Sequence, residues 1–116
     1  MEKVVEKLRV LHKTISTMES CTGGGLANTI TNVEGSSDVI KFSAVTYSNE
    51  FKIKMGVSKG VIDTYSVYSM ETAMEMSKSI CQFTNSDYGV GITGKLNRFD
   101  KNNPNGENHV VFVSIY

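Results

Sequence analysis

A run of seven residues, Glu-Ser-Cys-Thr-Gly-Gly-Gly at positions 19–25, most constrains how this 116-residue chain can fold. β-branched residues are frequent just before it, at positions 14–17, and Leu26, Ile30 and Val33 follow it at the spacing of one helix face. The run is therefore predicted to be a turn between a strand and a helix. Such a turn leaves the first helical N–H groups without internal partners, and they can hold a phosphate, a carboxylate or a developing oxyanion.

The residues of this turn leave its role open. Ser20 and Cys21 are two potential nucleophiles at its mouth, and the glycines allow a ligand to approach the backbone closely. The N–H groups of Thr22, Gly23 and Gly24 are candidates either to stabilise an oxyanion or to bind a phosphate. The alternative is a tight turn without a ligand, in which a serine or threonine caps the helix.

The composition excludes several classes of protein. Twelve Lys and Arg residues balance twelve Asp and Glu residues, so no overall field favours nucleic acid or an anionic membrane. The apolar runs are too short to span a membrane, and the first residues lack the hydrophobic region of a signal peptide. We therefore expect a cytoplasmic protein with a single domain over residues 1–116. The two cysteines and two histidines form no metal-binding pattern, so no metal site is predicted.

The pattern of apolar residues predicts strands that alternate with helices. Helices are predicted at residues 2–13, from the glycine turn to residue 32, at 49–55 and after a Ser69 cap; strands are predicted at 14–18, 40–45, 88–93 and 109–116. Residues 58–63 are predicted to form a second turn. This alternation predicts an α/β fold, a three-layer α/β/α sandwich.

Three segments carry more specific predictions about burial. The helix after Ser69 is predicted to bury a stripe of Met70, Ala73, Met74, Ser77, Ile80 and Cys81. The strand at 88–93 has glycines on one face, Gly89 and Gly91, so another element is expected to pack closely against that face. The segment 109–116 is apolar on both faces, which is typical of a strand covered on both sides.

Five blocks of the sequence together resemble the C-terminal domain of the CinA (competence/damage-inducible) family, which is also found as a stand-alone nicotinamide-nucleotide amidohydrolase. They stand in the order and at the spacings of that family between about residues 14 and 94. The blocks are residues 19–24, 33–37, 45–50 with Lys52 shortly after, 67–76 and 91–94.

The resemblance implies a fold like that of anticodon-binding domains, with a mixed sheet between helices. It also implies deamidation of nicotinamide mononucleotide, a small-molecule nucleotide substrate, to nicotinic acid mononucleotide and ammonia, without a metal or organic cofactor. By motif, Ser20 would be the nucleophile, and Lys52 and Tyr47 would assist its deprotonation. Thr93 and the adjacent Gly94 would contact the substrate. The chemistry is consistent, since a serine hydroxyl needs a base and a lysine becomes one only when its pKa is lowered.

Other interpretations of these residues remain open. Tyr47 could be an aromatic residue at a strand end, and Lys52 a solvent-facing helix residue. A thiol–imidazole pair of Cys21 and His109 is conceivable, but no motif places the two together.

The segment 95–106 departs from the family, because an asparagine-rich sequence replaces its glycine- and proline-rich loop. The length and composition of this segment predict a mobile loop or a lid. Arg98 or Lys101 could supply a phosphate contact there. The departure favours an alternative function, namely a catalytically degenerate module that binds a nucleotide or another subunit.

The apolar segment 109–116 also predicts self-association, because an open strand edge pairs with another chain unless it is shielded. We expect a homo-oligomer, a dimer or larger. Light scattering over a concentration series measures this, and a monomeric mass at every concentration would contradict it.

Overall fold

The computed structural model describes residues 1–96 and 99–116, and it consists of a four-stranded mixed sheet with helices on both faces. The strand order is β2-β1-β3-β4; the first three strands are parallel, and β4 is antiparallel to β3. The predicted α/β fold with a mixed sheet is therefore confirmed. The elements are α1 (Glu2–Val10), β1 (Ile15–Glu19), α2 (Gly25–Thr31), a 3-10 turn (Ser36–Asp38), β2 (Ile40–Val45), α3 (Asn49–Lys54), α4 (Lys59–Tyr65), α5 (Met70–Thr84), β3 (Tyr88–Lys95) and β4 (Val110–Ile115).

The central strand β1 determines where polar residues meet. Because β1 pairs in parallel with both β2 and β3, Glu19 lies opposite Val45 on one side and Ile92 on the other. Two further hydrogen bonds continue this alignment past the strand ends: the Ser20 N–H donates to the Ile92 carbonyl at 3.0 Å, and the Thr46 N–H donates to the Glu19 carbonyl at 2.9 Å. The segments that follow these strands therefore meet at one edge of the sheet.

The two faces of the sheet carry separate hydrophobic cores. On one face, α4 and α5 pack against β1 with a core of Met18, Val57, Ile62, Val67, Met76 and Ile80. On the other face, α1 and α2 enclose Val5, Ile30, Val39 and Ile40. The close approach of α5 to the glycine face of β3 is as predicted, since a Cβ at Gly91 would lie 2.6 Å from the Ser77 nitrogen.

One prediction about local structure is wrong, and another is confirmed only in part. Residues 59–63 belong to helix α4 and not to a turn, and Ser58 caps this helix by accepting a hydrogen bond from the Val61 N–H at 3.3 Å.

The buried stripe predicted for α5 is confirmed at four positions, Ala73, Ser77, Ile80 and Cys81. Met70 and Met74 are instead exposed, whereas Thr72 and Met76 are buried. The buried face of α5 is therefore rotated from the predicted one, because the helix packs closely against the glycines of β3.

The prediction that the last strand is covered on both sides is also wrong. Alternate residues of β4, namely Val111, Val113 and Ile115, are exposed, while Ser114 faces α5 and shares a hydrogen bond with Ser77 at 2.9 Å. Helix α2 contacts β1 and β2, on the other half of the sheet, so that within the described residues β4 keeps one apolar face open. Self-association through this strand stays a prediction.

The described residues test two further sequence predictions only in part, one about membrane-spanning segments and one about Arg98. No helix formed by the described residues is long and apolar enough to cross a membrane. Arg98, named above as a possible phosphate contact, lies outside the described residues.

Candidate active site

A cavity of about 380 Å³ lies at the edge of the sheet where the strands β1, β2 and β3 end. Its walls come from the turn after β1, the start of α3, the end of β3 and the loop that follows β3. Ligand sites of α/β proteins commonly occupy this position, outside the carboxyl ends of parallel strands. The polar residues among its lining are Ser20, Cys21, Tyr47, Ser48, Asn49, Lys52, Tyr68, Thr93, Lys95, Asp100, Lys101, Asn102 and Asn103.

Ser20 and Lys52 are brought together at the base of this cavity. The Lys52 amine donates hydrogen bonds to the Ser20 hydroxyl oxygen at 2.9 Å and to the Thr46 carbonyl at 2.7 Å. Helix α3 carries the lysine, and its first turn is held by the Ser48 hydroxyl, which accepts from the Phe51 N–H at 3.1 Å. The interpretation of Lys52 as a solvent-facing residue is therefore wrong.

The environment of Lys52 favours its neutral form. The residue is only 3% exposed, and burial lowers the pKa of its ammonium group to about 8, against the opposing influence of Asp100 and Cys21. A lysine with such a pKa is partly neutral near physiological pH and can accept a proton. The pair has the geometry of a nucleophile with its base within hydrogen-bond distance.

Glu19 fixes the turn that carries Ser20, a role that the sequence analysis missed. Its buried carboxylate accepts hydrogen bonds from the Leu26 and Ala27 N–H groups, each at 2.9 Å, and from the Thr22 hydroxyl at 2.6 Å. The residue therefore caps α2 from the end of β1. The alternative interpretation, in which a serine or threonine caps the helix, is wrong in its choice of cap, because the N-cap position is Gly24, which has no side chain.

The structure places Thr22, Gly23 and Gly24 outside the lining of the cavity. Gly23 and Gly24 have φ angles of 60° and 95°, a conformation that glycine adopts readily, so the sharp turn explains their identity. Since Glu19 occupies the first N–H groups of α2, the helix end is closed to a second anion. Among the described residues, the backbone N–H groups of Cys21 and Thr22 donate to no oxygen atom, although they lie close enough to the Cys21 sulfur to lower its pKa.

Cys21, the other potential nucleophile, lines the cavity but is poorly activated. Burial raises the pKa of its thiol, and the opposing effects of its own and the Thr22 N–H groups and of Lys52 are smaller. The thiolate is the reactive form, so a raised pKa lowers its nucleophilicity at neutral pH. His109 does not line the cavity, so the thiol–imidazole alternative has no structural support.

Tyr47, Thr93 and Gly94 all line the cavity, in different ways. Tyr47 is 62% exposed at the rim, and its hydroxyl makes no hydrogen bond to another described residue. Thr93 is buried and donates to the Val67 carbonyl at 2.8 Å, which leaves its oxygen free to accept. At Gly94 a Cβ would lie 2.7 Å from the Val111 Cα, so close packing against β4 requires glycine there.

A hydrogen-bonded network joins the loop after β3 to the wall of the cavity. The Asp100 carboxylate accepts from the Tyr68 hydroxyl at 2.9 Å and from the Asn103 amide at 2.8 Å. Asn103 also exchanges amide hydrogen bonds with Asn49 at 3.0 and 3.2 Å. These bonds, led by that from Asn103, lower the pKa of Asp100, and burial raises the pKa of Tyr68, so the hydroxyl stays protonated. Residues 99–103 therefore form one wall of the cavity.

Fold and site together define an α/β domain that holds a buried serine–lysine pair at the carboxyl ends of its parallel strands. The sequence model of the CinA C-terminal domain matches residues 1–112, and the chain belongs to this family. A CinA-like protein of Kosmotoga olearia is 46% identical over 94 residues, which are 80% of this chain and 23% of that protein. A CinA-like protein of Desulforapulum autotrophicum is 44% identical over 96 residues, 81% of this chain and 23% of that protein. The chain thus spans less than a quarter of the length of these relatives.

Solved structures share the fold. The competence/damage inducible protein CihA from Agrobacterium tumefaciens matches with a TM-score of 0.86 and 28% identity, over 97% of this chain and 68% of that one. The competence damage-inducible protein A from Klebsiella pneumoniae matches with a TM-score of 0.89 and 23% identity, over 97% of this chain and 70% of that one. The likeness confirms the fold expected from the sequence.

We expect Glu19→Ala to lower the free energy of unfolding by about 2–4 kcal/mol, because it leaves the Leu26 and Ala27 N–H groups without their partner and opens a cavity. Thr22→Val is the matched control, since it removes one hydrogen bond of the same carboxylate and should cost about 1 kcal/mol. Urea unfolding of both variants measures the difference. Equal losses would show that the carboxylate does not hold the helix.

Proposed function

We propose that this chain is an amidohydrolase that removes the amide nitrogen of a pyridine nucleotide, with nicotinamide mononucleotide as the substrate. The observation that carries the proposal is the 2.9 Å hydrogen bond between the buried Lys52 amine and the Ser20 oxygen, inside a cavity large enough for a small molecule. Membership of the CinA C-terminal domain family supports the same assignment through the block resemblance.

The first half of the reaction forms an acyl-enzyme. The neutral Lys52 amine takes the proton of the Ser20 hydroxyl while the oxygen attacks the carbonyl carbon of the carboxamide. The resulting tetrahedral intermediate collapses when Lys52 returns that proton to the departing nitrogen. Ammonia leaves, and the nicotinoyl group remains as an ester on Ser20.

The oxyanion of the intermediate needs donors near Ser20. The N–H groups of Cys21 and Thr22 are suited to this, because they follow the nucleophile directly and donate to no oxygen atom within the described part of the chain. The Ser20 N–H is excluded, since it donates to the Ile92 carbonyl. The Glu19 carboxylate holds the Thr22 side chain, so the turn is already ordered before substrate binds.

The second half of the reaction hydrolyses the ester. Water enters the site vacated by ammonia, and Lys52 removes one of its protons as the oxygen attacks the ester carbon. The ester bond breaks, and Lys52 delivers the proton to the Ser20 oxygen. Nicotinic acid mononucleotide leaves, and the serine and the lysine return to their starting states. Tyr47, at the rim of the cavity, would assist the deprotonation of Ser20, as the resemblance implies.

The test is ammonia release from nicotinamide mononucleotide by the wild-type chain and by Ser20→Ala. We expect steady release by the wild type and none above background for the variant, because alanine cannot form the ester. Mass spectrometry of the quenched wild-type reaction should also show a protein adduct of the nicotinoyl mononucleotide. Absence of ammonia from the wild type would leave the alternative, a degenerate module that binds the nucleotide without turnover.

The dependence of kcat/KM on pH should follow the neutral fraction of Lys52. Because its pKa in the folded protein is lowered to about 8, the rate should rise about tenfold per pH unit below that value and level off above it. Lys52→Met should lose about 10²- to 10⁴-fold in kcat, the usual contribution of a general base, together with this pH dependence.

Lys54→Met is the matched control for that experiment, since Lys54 lies on the same helix but is exposed and pairs with Glu50. It should keep both the rate and the pH midpoint. If kcat/KM of the wild type shows no midpoint near pH 8, the role of Lys52 as the base is contradicted.

A further inference from the structure

Lys95 is a buried lysine in the lining of the cavity. The residue is only 9% exposed, and its amine donates a hydrogen bond to the Pro104 carbonyl at 3.2 Å and lies 5.9 Å from the centre of the Tyr68 ring. Within residues 1–96 and 99–116 it forms no ion pair. An ammonium group has three donors, and burying one without a counter-ion is costly. An anion that entered the cavity would therefore compensate this charge.

We infer that Lys95 binds the phosphate group of the substrate, an assignment that rests on the proposed function. Lys95 is the last residue of β3, and its side chain lies on the same face as that of Thr93, two residues earlier. Both line the same cavity as Ser20. The anion would take up the remaining donors of the amine.

The strand register separates this anion site from the nucleophile by a suitable distance. The parallel register pairs Glu19 with Ile92, so that Ser20 lies beside Thr93, and Lys95 is two residues further along β3. At a rise of about 3.3 Å per residue, the backbone of Lys95 is roughly 7 Å beyond that of Thr93. A mononucleotide carries its carboxamide and its phosphate at opposite ends of the ribose, so it can place one at Ser20 and the other near Lys95.

The other charges of the cavity fit the same assignment. Lys101 also lines the cavity and adds a second cation, while Lys52 is engaged by Ser20 and Thr46. Asp100 is the acidic residue of the described lining, and its oxygens already accept from Tyr68, Asn102 and Asn103. The end of α2 cannot take the phosphate, because Glu19 fills it. The excess of positive charge therefore lies on the side of the cavity formed by β3 and its following loop.

Binding to Ser20→Ala, which cannot turn over, tests the assignment independently of catalysis. By calorimetry, we expect nicotinamide mononucleotide to bind at least tenfold more tightly than nicotinamide riboside, which has the same amide and no phosphate, as a charge-assisted hydrogen bond predicts. In the Ser20→Ala variant, the further substitution Lys95→Met should reduce the ratio of these two affinities to about twofold or less. It should leave the affinity for the riboside unchanged. Inorganic phosphate should compete with the mononucleotide only when Lys95 is present.

Two control variants distinguish the effect of the positive charge at position 95 from the effect of removing a lysine anywhere on the protein. Lys95→Arg keeps the cation and should keep most of the ratio, whereas Lys78→Met removes the same charge from the exposed side of α5 and should change nothing. An unchanged ratio in Lys95→Met, an equal loss in Lys78→Met, or no binding of the mononucleotide would each overturn the assignment. If the ratio depends on Lys95 but the wild type releases no ammonia, the phosphate site stands and the hydrolase proposal fails.

Discussion

The carboxylate of Glu19 binds the end of the central strand to the start of helix α2, and the arrangement of the site depends on this contact. Successive residues of a strand point to opposite faces. Glu19 therefore reaches back under the helix, to the Leu26 and Ala27 N–H groups, while Ser20 points into the cavity toward Lys52. A single strand end thus supplies both the cap that orders the turn and the hydroxyl that the turn presents. The same carboxylate occupies the position that a bound anion would otherwise take.

Burial of Lys52 connects the stability of the fold with its chemistry. Placing an ammonium group in a site that is nearly closed to solvent disfavours the charged form, and its hydrogen bonds to Ser20 and the Thr46 carbonyl offset only part of that cost. The pKa falls to about 8 for this reason. The loss of solvation that makes the lysine costly to bury is also what makes it a usable base.

The loop after β3 forms one wall of the cavity. The asparagine-rich sequence predicts a mobile loop or a lid, but polar side chains bind its described residues to the body of the domain. Asp100 is held by Tyr68, and Asn103 pairs with Asn49. Asparagine amides have donors and acceptors for such pairing. This wall carries the Pro104 carbonyl that contacts Lys95, so the loop also helps to position the cation.

The sequence alone determined the strand–turn–helix around Ser20, the strand after it and the glycine face of β3, because these depend on local spacing and on the size of single residues. The sequence also indicated Lys52, because one of the five blocks that resemble the CinA family, residues 45–50, ends shortly before this lysine. The exposed positions of Met70 and Met74, the open face of β4 and the capping role of Glu19 were decided by the tertiary structure. Each depends on which face another element covers, or on a partner seven or more residues away. Lys95 shows the same limit: its position marks a strand end, but only the packing of Tyr68 and Pro104 around it shows that this lysine is buried in the wall of the cavity.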